Sequence, residues 1–207
     1  MKIETRIASI LSAFLHPLIM PTLGLIVLFN LNTHLIFIMP GQVKKIVLLI
    51  LFINSAILPL LSIILLKKTG FIQDILLDNR SERMLPLLLS AVYYILTYFM
   101  LRNAALPSIV YFYIIGAALL VLLTLLITYR WKISIHMVSI GGFTGFIISM
   151  AILFSLGLDL LLIAAFFASG LLGTSRVKLN AHDLPQVFAG FALGACVMIV
   201  LFLYLRG

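Results

Sequence analysis

The stretch PSIVYFYIIGAALLVLLTLLITY, residues 107–129, holds no charged side chain and is bracketed by Arg102 and Arg130. At about 1.5 Å per residue, a helix of this length outreaches the roughly 30 Å hydrocarbon core of a bilayer. Comparable apolar runs occupy about 7–31, 43–66, 85–102, 137–156, 158–174 and 185–205. Composition agrees: of 207 residues, 64% are hydrophobic and 10% charged, with mean hydropathy +1.28. These values exclude a soluble globular domain. They predict an all-α integral membrane protein, a polytopic helical bundle of six to seven transmembrane helices forming a single domain over residues 1–207.

The first run contains His16, Pro17 and Pro21, so it is read as a membrane helix that is kinked, broken or re-entrant, which leaves the six-span count open. It is too long for the apolar core of a cleavable signal and lacks a small-residue cleavage site, so it is expected to stay in the membrane. Gly157 to Asp159 imply a tight hairpin, with Asp159 a turn or cap residue. Lys67 to Met84 mixes charged and apolar residues at helical spacing and suits a short helix lying in the interface. The lone Cys196 can form no intrachain disulfide. The net charge of +8 sits mainly at the ends of apolar runs, where anionic headgroups account for it, so no nucleic-acid partner is expected.

Three polar clusters interrupt the apolar chain: DNRSERMLP (78–86), KISIH (132–136) and SRVKLNAH (175–182). Two apolar runs separate each cluster from the next, so an even number of crossings allows all three to lie on one membrane face. Ionisable groups at membrane depth are costly and by default functional. Ser175, Arg176 and His182 stand just before the last apolar run, where the start of a helix favours an anion. Arginine matches phosphate oxygens with a planar fork of donors, and a neutral imidazole is a competent nucleophile toward phosphorus. His136, with Ser134 and Lys132 beside it, is a candidate proton donor; alone it would read as an ordinary interfacial histidine. Arg80 and Arg83, three apart, share one face of a helix and can share a phosphate, or they pair with Asp78 and Glu82 instead. The bland reading of the third cluster is a basic loop at lipid headgroups. The small residues of SIGGFTG (139–145) and the pair Gly190 and Gly194 read as helix-packing faces. His16 reads as an intramembrane polar contact and His34 as a loop residue.

In this order the clusters resemble the type 2 phosphatidic acid phosphatase family of membrane lipid phosphatases, whose pattern is Lys–x6–Arg–Pro, then Pro–Ser–Gly–His, then Ser–Arg–x5–His–x3–Asp. Ser175, Arg176 and His182 match the third motif; Ser134 and His136 match the second, with Ile133 and Ile135 in place of its Pro and Gly. Arg83 takes the arginine of the first, with Pro86 three residues on and Leu76 at the lysine position, which Arg80 replaces. Gln186 stands at the final Asp, marking a divergent member, with Asp183 as a nearby carboxylate. The match spans residues 71–207. The resemblance implies His182 as nucleophile and His136 as general acid. Substrate binding would fall to Arg80, Arg83, Ser134, Ser175 and Arg176, with Lys132, Asp183 and Gln186 in support. It implies no metal or other cofactor, a phosphorylated lipid as substrate among the membrane lipids, and a bacterial inner (cytoplasmic) membrane.

Two further readings stand beside the hydrolase: an inert relative that binds or moves anionic lipid, favoured by Gln186, and a small transporter whose path is lined by His16. The motif-bearing side carries Lys2, Arg6, Lys67, Lys68, Arg80, Arg83, Arg130, Lys132, Arg176 and Lys178; the other carries Lys44, Lys45, Arg102 and Arg206. The positive-inside rule then places the site in the cytoplasm, though phosphate-binding arginines inflate that count and bacterial members of the resembled family often face the periplasm.

Overall fold

Six helices in the computed structural model, which describes residues 3–75, 77 and 79–204, are long and apolar enough to cross a membrane. They span Gly41–Lys68, Ser81–Leu101, Ser108–Arg130, Ile135–Phe154, Asp159–Lys178 and Leu184–Tyr204. The expected all-α, polytopic membrane bundle is therefore present, and no strand occurs among the described residues. Lys2, Leu76, Asp78 and Arg206 lie outside the described residues, and with them the pairing expected of Asp78.

The first apolar run does not form one spanning helix. It is divided into α1 (Ile3–Phe14) and α2 (Met20–Phe29), of 12 and 10 residues, each shorter than the roughly 20 a crossing needs. The break falls at His16–Pro17, where a proline cannot donate to the helical ladder. A short helix α3 (His34–Phe37) follows, so His34 opens a helical turn instead of lying in a loop. Next, α4 (Gly41–Phe52) runs through a π-helical turn at Ile53–Ile57 into α5 (Leu58–Lys68). Pro59, at the start of α5, lacks an N–H, and the wider π turn absorbs that missing bond. Then come α6 (Met84–Leu101), α7 (Ser108–Arg130), α8 (Ile135–Phe154), α9 (Asp159–Lys178) and α10 (Leu184–Tyr204).

Contacts divide the chain into two compact units, Met1–Met20 with Lys132–Gly207, and Pro21–Trp131. In the first unit α8 is central, the most buried of the six spans. Its glycines meet those of α10 as the small-residue pattern predicts. A Cβ on Gly141 or Gly145 would collide with the carbonyls of Phe191 or Ala195, and one on Gly194 with that of Val138. Glycine is required here because the two backbones touch. α1 packs on α9, where Glu4 forms an ion pair with Lys178. The hairpin between α8 and α9 is as tight as expected: Ser155, at φ 50°, ends α8, and Asp159 is the first residue of α9.

In the second unit α6 packs against α7 and α5. The Tyr113 hydroxyl, seated over Gly24, donates to the Pro21 carbonyl at 2.9 Å, satisfying a group the nearby break would leave open. The expected interfacial helix over Lys67 to Met84 does not form. Gly70, at φ 80°, stops α5, and the described residues from there to Arg80 are turns and bends. Glu82 organises this loop, accepting from the Gln73 and Asp74 N–H groups at 3.2 and 3.4 Å and from Asn79 Nδ2 at 3.0 Å. Bonds of this kind, from one side chain to several loop groups, outcompete a helical ladder.

Candidate active site

The third cluster is split between a helix and a loop. Ser175 and Arg176 lie on the last turn of α9, and Arg176 and Lys178 complement its negative end. Asn180, at φ 53°, then ends the helix in a Schellman arrangement. Its N–H donates to the Val177 carbonyl at 3.0 Å, and the Ala181 N–H to that of Arg176 at 3.1 Å. This turn delivers His182 to the loop just ahead of α10, where it is 7% exposed. Asp183 caps α10: its Oδ1 accepts the Gln186 N–H at 2.9 Å.

That cap corrects one expectation. The start of α10 is already matched by a carboxylate, so it does not offer a bare positive end to an anion. The Asp183 side chain also reaches the histidine, through Gln186. Asp183 Oδ2 accepts from Gln186 Nε2 at 3.1 Å, and Gln186 Oε1 lies 2.7 Å from His182 Nδ1. A carboxylate only accepts, which fixes the amide nitrogen toward Asp183 and the amide oxygen toward the imidazole. Nδ1 must therefore carry a proton, and in the neutral ring the lone pair is on Nε2. Gln186 orients the ring by its carbonyl, in the way a carboxylate would, and Asp183 polarises that carbonyl from behind.

Ser134, the N-cap of α8, is fully buried. Serine at this position usually accepts from the first turn, yet Ser134 makes no side-chain cap bond, and its Oγ has no partner among the described residues. The uncapped end sits against α10, with the Ser134 N–H 3.4 Å from the Gln186 carbonyl. The first turn of α8 is therefore without a side-chain cap from Ser134. Ser175 differs: it is buried and its hydroxyl donates to the Leu171 carbonyl at 2.8 Å, leaving it an acceptor. Lys132 is partly buried two residues before Ser134.

His136 stands in the first turn of α8. Its Nε2 lies 3.3 Å from the Ser12 carbonyl, which only accepts, so Nε2–H donates and Nδ1 is the second nitrogen. Arg176, His16 and His182 all lie within electrostatic reach of His136. The His16 ring meets His136 edge-to-face at 5.3 Å between centroids, and its own Nδ1 accepts the Leu18 N–H at 3.3 Å. Sequence reasoning left His16 and Ser12 out of the site. The available signal was an imidazole in an apolar run next to a helix-breaking proline.

The second unit contains Arg80 and Arg83. Arg80 Nη1 donates to the Arg130 carbonyl at 2.6 Å, closing the α6 end onto the α7 end. Arg83 is 4% exposed, and its Nε donates to the Leu77 carbonyl at 2.7 Å. Leu77 is held at φ 54°, a conformation L residues rarely adopt, so this bond steadies a strained turn. Among the described residues no group of three or more His, Cys, Asp or Glu side chains is placed to hold a metal ion. No family model, curated protein or solved structure matches the chain.

Proposed function

We propose that the chain is an integral-membrane lipid phosphate phosphatase whose catalytic groups lie in the first unit. The observation that carries this reading is the chain Asp183–Gln186–His182, which leaves Nε2 of a buried imidazole as the nucleophilic nitrogen. Nε2 attacks phosphorus while Arg176 holds phosphoryl oxygens and the Ser134 hydroxyl donates to one of them. The bond from phosphorus to the lipid oxygen breaks, and that oxygen takes a proton from His136. Nε2–H of His136 stays on the Ser12 carbonyl, so the transferred proton is one that Nδ1 takes up when the anionic phosphate enters beside the ring. A water then attacks the phosphohistidine, giving a proton to the neutral Nδ1 of His136, and inorganic phosphate leaves as His182 is restored.

A non-catalytic relative that binds anionic lipid is the second reading. Gln186 favours it, since an amide cannot stabilise a developing imidazolium as a carboxylate does. Phosphate release from a panel of lipid phosphates, measured in detergent, decides between them. The phosphatase reading expects release from at least one lipid, an acid-labile phosphoenzyme, and loss of both in His182→Ala. A folded preparation that releases phosphate from none, or a His182→Ala variant that keeps releasing it, would overturn that reading.

A further inference from the structure

An apolar groove of about 630 Å³ runs along the first unit between α9 and α10, with Met137 of α8 at its floor. On α9 its lining follows one helical face from Phe166 to Lys178, and on α10 it runs from Leu184 to Phe191. Its polar side chains are turned inward on their own helix: Ser169 donates to the Ala165 carbonyl and Thr174 to that of Gly170. The helices close at Gly173, where a Cβ would stand 3.1 Å from Val187, and part at Gly170, where it would meet nothing within 4 Å.

Three features identify the occupant. The α9 side, twelve residue steps at about 1.5 Å, is roughly 18 Å long, close to the ~15 Å of hydrocarbon in one leaflet. One end is polar, formed by Lys178, whose ammonium is paired with Glu4 and has further N–H donors for a headgroup oxygen. Lys178 and Leu184 also flank the five-residue loop that carries His182, so the groove leads to the histidine site.

We propose that this groove seats one hydrocarbon chain of a phosphate-bearing lipid, with the headgroup at Lys178 and the His182 loop. The assignment rests on the phosphatase reading and names where its substrate is held. Chain length is then read along α9, and Gly170 sets how far the chain penetrates.

Gly170 gives a clean test, because a side chain there enters open space and raises helix propensity. Full-length protein in lipid nanodiscs is photolabelled with phosphatidate bearing a diazirine in its acyl chain. Adducts are mapped by peptide in wild type, Gly170→Ala, Gly170→Leu and Thr174→Leu, the last covering a failure of Gly170→Leu to fold. Wild type and Gly170→Ala should label on α9 and α10. Both leucine variants should lose labelling several-fold, since the added side chain takes up space that the hydrocarbon would fill. Labelling that persists in the leucine variants, maps to other helices, or is equalled by a diacylglycerol probe overturns the proposal. So does a leucine variant that only separates copies of the chain. Phosphate release is scored on the same preparations. Groove labelling without release sinks the phosphatase and keeps the groove; release with unchanged labelling does the reverse.

Discussion

Two basic clusters of similar composition behave differently in the two units. Around Arg80 and Arg83, guanidinium donors are given to backbone carbonyls, those of Arg130 and Leu77, and the nearby carboxylate Glu82 binds loop amides. Around His182 and His136, one nitrogen of each ring is engaged by an amide or carbonyl oxygen, and a buried serine hydroxyl beside them has no partner among the described residues. The first arrangement satisfies a loop and stabilises a fold. The second orients two imidazoles beside a buried hydroxyl. Residue type does not separate the two arrangements; the partner of each polar atom does.

Substitutions in both clusters probe that contrast. Arg83→Ala should have the largest effect on stability, lowering it by about 1–3 kcal/mol because a strained turn loses its donor and a buried carbonyl its partner. Thermal unfolding in detergent measures this; a variant as stable as wild type but inactive would break the comparison. Ser134→Ala should go the other way. Removing a buried hydroxyl without a partner leaves stability equal or raised by about 1 kcal/mol, while turnover falls, the opposite pairing of effects to Arg83→Ala. Gln186→Leu frees the His182 ring and should cost about tenfold in turnover, near 1.4 kcal/mol. Gln186→Asp should keep or raise turnover, more so with Asp183→Asn, which removes a second carboxylate from the same spot. A total loss in Gln186→Asp would give Gln186 some other role.

The smallest effect belongs to Glu4→Gln. Hydrogen bonding to Lys178, and then its charge, hold the Glu4 carboxyl below its usual range. A lowered folded pKa means the contribution is present above the unfolded value and disappears as pH falls through the folded one. Wild type and Glu4→Gln should therefore differ slightly near neutrality and converge in acid. Both groups are exposed, so solvent screens the pair.

Much of the fold was legible because hydrophobic length alone forces it: six of the seven apolar runs correspond to the six spans. The glycine patterns were legible for a related reason, since small residues at helical spacing in apolar runs have few uses besides close packing. The divided first run was only half legible. Pro17 marked the break, but nothing local placed His16 against His136, 120 residues away. The loop before α6 was misread because its helical spacing was outweighed by Glu82, whose partners become clear only once the turn is folded.

The sequence by itself determined that this chain is a membrane-spanning helical bundle with a few costly polar clusters, because burying backbone in lipid leaves helices as the main solution. It also supplied His136, His182 and Arg176 as candidates, because ionisable groups in such a chain are rare. Tertiary structure alone decided which polar atoms are used up. That Asp183 speaks to His182 through Gln186, that Ser12 fixes the tautomer of His136, and that Arg83 serves Leu77 all depend on hydrogen bonds whose direction is set by where helix ends meet. Hydrogen bonding is short-ranged and directional, so it is invisible to composition and spacing until the chain is packed.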